Sequence, residues 1–297
     1  MEFVKKHKKA LIISSVILAI IIVIIILMFT LFSLKSVELS FKTETLNITA
    51  EQTKQIEQKT LSYGGSVLFI NKDKIVSELE KEFPYLKIVN IETQIPDKFV
   101  IHCAEREELF SIESNGKYYV LDEELKILSI SNSPDESLVS FEFEGIDYNE
   151  QTGQYFATKL NLNLSSAETG QFLTLGSSQS SYFADKMQTI STSVLTAFEQ
   201  NNRDISYVKS QFEQFEIFYR PERVSETNYI WRTCLRLVDR SGFEYQIVDA
   251  DINLPEKISV LYSALTAAAN EPSLLEGTYL MVYQNANGVF AYSFVER

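Results

Sequence analysis

The sequence predicts an α+β protein with one N-terminal membrane-spanning helix, then a β-α-α-β-β domain, and finally a mixed β-rich domain with helices packed on a sheet. Three observations predict this fold class. Residues 10–34 carry no charged side chain. Beyond them, apolar residues alternate with a period of two in some segments and recur at helical spacing in others. The chain's 297 residues, 45% of them hydrophobic, are enough for two ordinary domain cores.

The uncharged segment 10–34 is nearly continuous in aliphatic residues. Crossing a bilayer core takes about 20 residues, whereas the apolar part of a cleaved signal has only about 7 to 15. The segment therefore predicts a retained anchor. Four lysines precede it and a single lysine follows it closely: Lys5, Lys6, Lys8, Lys9 and, on the far side, Lys35. The positive-inside rule then places residues 1–9 in the cytoplasm and the rest outside, a single-pass type II arrangement.

The first half of the segment 35–106 predicts a strand followed by a helix. Residues 37–41 alternate apolar and polar side chains, which is the period of a half-buried strand. Thr49 with Gln52 three residues later forms a capping box, so a helix is expected to begin there. Gly64-Gly65 ends that helix.

The second half of this segment predicts another helix and a hairpin. Asn71 can cap a helix whose apolar residues recur at helical spacing through 75–83, and Pro84 marks its end. Residues 89–95 and 99–103 then alternate with a period of two around a Pro-containing turn. The resulting order is β-α-α-β-β over about 70 residues.

Residues 107–297 show no clear linker, and we interpret them as one further domain. The pattern predicts a helix with Phe183, Met187, Ile190, Val194 and Phe198 on one face. Strands are predicted at 215–219, 231–237 and 243–247, with a turn at Asp239–Gly242. A helix beginning near Pro255 and two closing strands, 279–283 and 289–295, complete the chain.

Four motifs of the first domain resemble a known family: Gly65-Ser66-Val67-Leu68-Phe69-Ile70-Asn71, Phe83-Pro84, Gln94-Ile95-Pro96-Asp97-Lys98-Phe99 and Glu105-Arg106. Together they look like a POTRA domain of the FtsQ/DivIB family of bacterial cell-division proteins. The sequence departs from the family pattern at Val67, where Asn is usual, at Glu108, where Pro is frequent, and at Leu125, where a turn Gly is common. The order of elements in 107–297 is similar to the β domain that follows POTRA in that family.

The resemblance implies a scaffold of the septal division machinery without catalytic activity or cofactor. Its implied partners are FtsL and DivIC, the FtsB counterpart, with a septal penicillin-binding protein as a further partner. It also implies that the last strand and the helix before it form the partner site.

The final predicted strand offers an edge that suits such a site. Phe290, Tyr292 and Phe294 fall on one face of the strand, with only Glu296 and Arg297 after it. Unpaired N–H and C=O groups of an edge strand can pair with a segment of a partner. By position, two residues of the family site correspond to Tyr283 and Gly288. The expected partner-binding residues are therefore Tyr283, Gly288, Phe290, Tyr292 and Phe294.

Charge and residue types argue against several other functions. The net charge of −13 disfavours nucleic-acid binding, because phosphate contacts need clustered Lys and Arg. His7 falls in the tail and His102 in a predicted strand, so no histidine pair is available outside the membrane for metal binding or base catalysis. Cys103 and Cys234 are too few for a disulfide scaffold and are interpreted as buried thiols, while the sequence leaves a bridge between them open.

Two alternatives stay open. The first is a membrane-anchored extracytoplasmic sensor or ligand-binding protein that recognises a wall fragment, which would need a pocket with convergent polar groups. The second is a membrane-bound wall hydrolase, for which a carboxylate pair would be needed. The carboxylates that could supply such a pair are Glu105, Glu107 and Glu108, or Asp249 and Asp251.

Overall fold

The structure is a computed structural model that describes residues 8–149, 151–160, 162, 164–173, 181–224 and 229–297. Lys5, Lys6 and His7 of the expected cytoplasmic tail lie outside the described residues. The chain forms two compact units, which divide between Arg106 and Glu107.

The first unit begins with the apolar helix α1, Lys8–Leu31. Within it, Ile12–Leu31 has a mean hydropathy of 3.4 over 20 residues, so its length and composition suit a membrane-spanning helix. Its aliphatic side chains are about half exposed, as Ile17 is at 52%. The predicted N-terminal apolar helix is confirmed, although it ends three residues before the expected boundary at 34.

The order β-α-α-β-β that the sequence predicts for the first domain is confirmed. Its elements are β1 Ser36–Phe41, α2 Ala50–Ser62, α3 Lys72–Glu82, β2 Leu86–Gln94 and β3 Lys98–Glu105. In the described part of the chain they form a three-stranded sheet of order β1-β3-β2. Strand β3 lies in the middle, parallel to β1 and antiparallel to β2.

Both predicted helix caps of this domain are present. Thr49 Oγ1 accepts a hydrogen bond from the backbone N–H of Gln52 at 3.2 Å, and Gln52 Oε1 accepts one from the N–H of Thr49 at 2.9 Å. Asn71 Oδ1 accepts a hydrogen bond from the N–H of Lys74 at 3.1 Å and caps α3. These bonds satisfy N–H groups that a helix start leaves unpaired.

Apolar residues of α2, α3 and the sheet meet in the core of the first unit. The fully buried members of this core include Ile56, Ile75, Leu79, Leu86, Phe99 and Ile101. An ion pair joins the last residue of the domain to α3. Arg106 Nη2 lies 2.9 Å from Glu80 Oε2, and Arg106 is only 3% exposed.

The second unit has ten described strands and three described α-helices. Its first strands are β4 Phe110–Ser114, β5 Lys117–Leu121, β6 Ile127–Ser131, β7 Val139–Asn149 and β8 Gln154–Lys159. The helices and strands that follow are α4 Ser181–Glu199, α5 Ile205–Gln211, β9 Phe212–Arg223, β10 Tyr229–Asp239 and β11 Glu244–Val248. The chain then forms α6 Leu254–Asn270, a short 3-10 helix Pro272–Leu275, β12 Thr278–Gln284 and β13 Phe290–Glu296.

Among the described residues these ten strands form one sheet of order β13-β12-β11-β10-β9-β7-β4-β5-β6, with β8 paired to the far half of β7. Apolar residues from α4, α5 and α6 share a core with alternate residues of the strands, among them Phe110, Phe141, Phe198, Phe215, Leu235, Leu261 and Val282. The predicted helix over 183–198 is present as α4. The side chains of Phe183 and Met187 lie outside the described residues, whereas Ile190 and Val194 are fully buried.

The turn after β5 has a leucine at position 125, where the pattern of the resembled family commonly has glycine. Leu125 has a positive φ of 62° and a side chain with no exposed surface. The carboxylate of Asp122 accepts hydrogen bonds from the N–H groups of Glu124 and Lys126, at 2.9 and 2.7 Å. Burial of the leucine side chain and these bonds hold a backbone conformation that costs a residue other than glycine about 1 to 2 kcal/mol.

Cys103 and Cys234 are buried, free thiols in β3 and β10 of different units, as the sequence predicts. Burial raises the pKa of each thiol to about 12. Since the thiolate is the reactive form, both are suited to packing and not to nucleophilic chemistry.

Candidate protein-binding edge

Strand β13 lies at one end of the ten-stranded sheet, next to β12, in the described part of the chain. The strand at the other end, β6, is partly covered by the segment 170–173. There the N–H of Ile127 donates to the carbonyl of Gln171 at 2.9 Å, and the N–H of Gly170 donates to the carbonyl of Ile127 at 2.7 Å. The two ends of the sheet therefore differ, and β13 is the more accessible edge.

A turn held by side-chain hydrogen bonds connects β12 to β13. Gly288 adopts a positive φ of 77°, and Gln284 Nε2 donates a hydrogen bond to its carbonyl oxygen at 2.8 Å. The side-chain oxygen of Asn285 accepts bonds from the N–H groups of Asn287 and Val289, both at 3.0 Å. These contacts fix the turn and hence the register of the hairpin.

The register decides which backbone groups of β13 face outward. At one end of the hairpin the N–H of Asn285 donates to the carbonyl of Val289 at 2.9 Å, and at the other the N–H of Arg297 donates to the carbonyl of Gly277 at 3.1 Å. Hydrogen-bonded pairs alternate along an antiparallel ladder, so the odd-numbered residues of β13 pair with β12. The N–H and C=O groups of the even-numbered residues point away from it: Phe290, Tyr292, Phe294 and Glu296.

The aromatic residues of β13 lie on the core side of the sheet. Phe294 is opposite Leu280 and Tyr292 is opposite Val282, and both of those β12 residues are fully buried. Phe294 packs partly against the core, whereas Tyr292 remains 39% exposed. The rings of Tyr292 and Phe294 are in edge contact, with centroids 6.0 Å apart. The edge therefore combines outward backbone groups with a half-exposed aromatic surface.

The five predicted site residues do not share one face. Phe290, Tyr292 and Phe294 are brought together, and Gly288 lies in the adjacent turn. Tyr283 pairs with Ala291, so its side chain emerges on the opposite face of the sheet. A partner that reaches both faces must wrap around the edge.

The sequence patterns did not identify Lys257 as a residue of this site. It lies in α6 and contacts the edge strand. Its side chain in α6 is only 1% exposed, and Nζ donates hydrogen bonds to the carbonyl oxygens of Val248 and Asp249 at 2.8 and 2.6 Å. Nζ also lies 5.6 Å from the centre of the Phe290 ring. Burial lowers the pKa of this lysine, against the opposing effect of the Asp249 carboxylate. The sequence feature that could have predicted its burial is its spacing, which places Lys257 in line with the apolar residues of α6.

The C-terminal end of β13 is held to the sheet. Arg297 Nη2 donates to the carbonyl of Gly242 at 3.2 Å and lies 3.7 Å from Glu244 Oε2. The turn at one end of β13 and this arginine at the other keep the strand in place. A fixed edge loses less conformational entropy when a partner binds.

Three of the carboxylates considered for catalysis, Glu105, Asp249 and Asp251, have separate partners. Glu105 accepts hydrogen bonds from the N–H groups of Leu46, at 2.7 Å, and Asn47. Asp249 Oδ2 lies 3.1 Å from Arg232 Nη1, and Asp251 Oδ2 lies 2.7 Å from Lys186 Nζ. These groups cap a loop or pair with a cation. For the described residues, no group of three or more His, Cys, Asp or Glu is placed to hold a metal ion.

A cleft of about 850 Å³ lies elsewhere on the second unit. Six of the eighteen residues that line it are charged: Glu113, Asp135, Glu136, Glu142, Glu213 and Arg240. The guanidinium of Arg240 donates to the carbonyl oxygens of Lys209, Glu136 and Ser137. Five carboxyl groups against one guanidinium make the net charge of the lining negative.

Comparison with known proteins identifies the family of the first domain. A family model described as POTRA domain, FtsQ-type, matches residues 34–106. The chain is 29% identical over 95 residues to the cell division protein DivIB of Clostridium tetani (strain Massachusetts / E88), covering 31% of this chain and 32% of that protein. It is also 29% identical over 75 residues to the cell division protein DivIB of Clostridium acetobutylicum, covering 25% of this chain and 30% of that protein.

The chain thus matches about a third of the length of these relatives. The family match coincides with the β-α-α-β-β domain that the structure places after α1. Residues 34–106 form a POTRA domain of the FtsQ type, and the matches support the assignment of the chain to the FtsQ/DivIB family of cell-division proteins.

Proposed function

We propose that this protein is a membrane-anchored scaffold of the bacterial division machinery that binds other division proteins through the outer edge of β13. In this account α1 crosses the membrane with the N-terminus in the cytoplasm, both units lie outside, and the protein works at the division septum without catalysing a reaction. The domain arrangement is a tail 1–9, an anchor 10–34, a POTRA domain 35–106 and a β domain 107–297.

This proposal rests on the backbone of β13, where the N–H and C=O groups of four alternate residues point away from β12. A partner segment laid along the strand would pair with the N–H and C=O groups of Phe290, Tyr292, Phe294 and Glu296. Tyr292 and Phe294 would add apolar contact beside the new strand, and aromatic residues often dominate such interfaces. Tyr283 and Gly288 would border the site at the turn.

The proposed partners are FtsL and DivIC or FtsB-like proteins, with a septal penicillin-binding protein as a further candidate. Support for this choice comes from the family assignment and from the DivIB relatives, which are described as cell division proteins. The edge itself would recognise an extended segment whose backbone is free to pair.

The experiment compares two variants at one position. Tyr292→Pro removes the outward N–H and the ring but leaves the β12 ladder intact, whereas Tyr292→Ala removes only the ring. The full chain in nanodiscs is titrated with purified FtsL and DivIC. We expect Tyr292→Ala to weaken binding and Tyr292→Pro to weaken it about fivefold further, since one net hydrogen bond contributes about 1 kcal/mol.

Each result has a clear meaning, provided that circular dichroism shows both variants folded. Equal affinities for Tyr292→Pro and Tyr292→Ala would remove strand pairing from the proposal. Absence of binding by the unaltered chain would instead favour the alternative, an extracytoplasmic sensor or ligand-binding protein. The acidic cleft would then be the place to search, and its charge favours a cationic ligand over an anionic wall fragment.

A further inference from the structure

The loop between α2 and α3 of the POTRA domain is fixed to the chain where α1 ends. Ser33 forms a β-bridge with Ser66, and the N–H of Val67 donates to the carbonyl of Phe32 at 2.7 Å. The N–H of Leu34 donates to the carbonyl of Gly65 at 3.0 Å. These bonds hold the start of the loop beside the last turn of the apolar helix.

Two large apolar side chains of this loop are exposed. Leu68 is 41% exposed and Phe69 is 66% exposed. The Phe69 ring lies 6.1 Å, centroid to centroid, from the ring of Phe29, which belongs to the apolar segment Ile12–Leu31. With a rise of about 1.5 Å per residue, Phe29 lies only about 3 Å along the helix axis from Leu31. Phe69 is therefore at the depth where the apolar helix reaches its end.

A second loop lies at the same end of the domain. The N–H groups of Lys35 and Ser36 both donate to the carbonyl of Asp97, at 2.8 and 3.2 Å. Strands β1 and β3 run parallel from this point, so the β2–β3 turn sits next to the exit of α1. Ile95 in that turn is 69% exposed.

The opposite end of the POTRA domain provides a natural control. Leu46 is 90% exposed, and its N–H donates to Glu105, the last residue of β3. The eight residues of β3 separate the two ends by about 23 Å at about 3.3 Å per residue. Leu46 should thus stay in water when α1 spans a bilayer.

We propose that Leu68, Phe69 and Ile95 insert into the interfacial layer of the bilayer from which α1 emerges, so that lipid covers them and the POTRA domain rests on the membrane surface. The occupant is lipid because the surface continues that of an apolar helix whose side chains face outward along its length. Aromatic and aliphatic side chains at this depth are stable in the layer between headgroups and acyl chains. The contact restricts the tilt of the POTRA domain relative to the membrane. This inference rests on the membrane anchoring proposed above.

The test places a fluorescent side chain at each position in the full chain. Trp231 is the single tryptophan of the sequence and is replaced by Phe in every variant. Phe69→Trp, Ile95→Trp and Leu46→Trp are then reconstituted separately in phosphatidylcholine vesicles, with or without brominated acyl chains. Bromine quenches tryptophan on contact. We expect quenching at positions 69 and 95 at least threefold greater than at position 46, together with poor access to acrylamide.

Equal quenching at 69, 95 and 46 would overturn the inference. Protection from acrylamide without quenching by bromine would also overturn it, because a protein surface would then cover these residues. Flotation of the vesicles distinguishes a failure of membrane anchoring from a failure of loop insertion. A chain that does not float with the vesicles contradicts the anchoring itself, whereas one that floats without quenching contradicts only the insertion of the POTRA loops. The variant at 95 serves if the one at 69 does not fold.

Discussion

The ammonium group of Lys257 lies 5.6 Å from the centre of the Phe290 ring while it donates hydrogen bonds to the carbonyl oxygens of Val248 and Asp249. One buried cation therefore joins α6, the end of β11 and the first residue of the edge strand. A cation over an aromatic face is attracted to it, more strongly when water is excluded. The position of Phe290 at the edge thus depends on a residue in the helix beneath it.

Lys257→Met should lower the free energy of unfolding by about 2 kcal/mol, since it leaves two buried carbonyl groups without their donor. Phe290→Leu retains those bonds and serves as the matched control. A double-mutant cycle of the two substitutions should give a coupling energy of about 0.5 to 2 kcal/mol. Thermal unfolding of the full chain measures both. Strict additivity would show that the contact between Lys257 and Phe290 contributes nothing.

Gly288→Ala should destabilise the β12–β13 hairpin by about 1 kcal/mol, because φ at this position is +77°. Space is not the cause, since the nearest atom to an added Cβ would be Gln284 Nε2 at 3.8 Å. Gly288→Asn should cost less, because Asn tolerates the left-handed region better. Partner titration should show the same order of affinities. Identical behaviour of the Ala and Asn variants would argue against backbone strain as the cause.

Arg106→Ala should destabilise the POTRA domain by about 2 to 3 kcal/mol, because it leaves the largely buried carboxylate of Glu80 without its cation. Glu80 is also bonded to the N–H of Ile88 at 2.7 Å. The double variant Arg106→Met with Glu80→Met should be less destabilised than Arg106→Ala, because the unpaired charge is gone. Chemical denaturation followed by a probe in the POTRA domain compares them. A double variant less stable than the single one would contradict this account.

Glu216 should make the stability of the β domain depend on pH. Burial raises the pKa of this carboxyl above its ordinary value of 4.5, and repulsion from Glu144 and Glu142 adds to that effect while Arg236 opposes it. A raised pKa stabilises the fold below pH 4.5, and this contribution is lost as pH rises through the folded-state pKa. The melting temperature of the unaltered protein minus that of Glu216→Gln should therefore fall between pH 4 and pH 7. A difference that rises with pH would contradict this sign.

Local signals predicted the POTRA domain well, because short sequence motifs mark where its helices begin and where its hairpin turns. The Thr49–Gln52 capping box, the Asn71 cap and the Pro-containing turn are short-range features, and the structure has all three. The parallel pairing of β1 with β3 joins segments about 60 residues apart in sequence. No periodicity in the sequence reports such a pairing, so the sequence patterns did not predict it.

The β domain was predictable in its second half and less so in its first. Strands β4, β5, β6 and β8 have only five or six residues each, and β7 lies between β9 and β4 through contacts distant in sequence. Alternation in 289–295 correctly grouped the three aromatic residues on one face. It could not show which backbone groups point outward, since that depends on the pairing with β12. Lys257 was missed because a lysine among apolar helix positions is assumed to face water, yet this one is buried.

Residue-resolved amide hydrogen exchange on the full chain, with and without FtsL and DivIC, tests the central claim most directly. In the free protein the amides of Ala291, Ser293 and Val295 should be protected by β12, while those of Phe290, Tyr292 and Phe294 exchange rapidly. The account predicts that bound partner protects the second set and leaves the first unchanged. Binding that leaves the amides of Phe290, Tyr292 and Phe294 exchanging rapidly would contradict it.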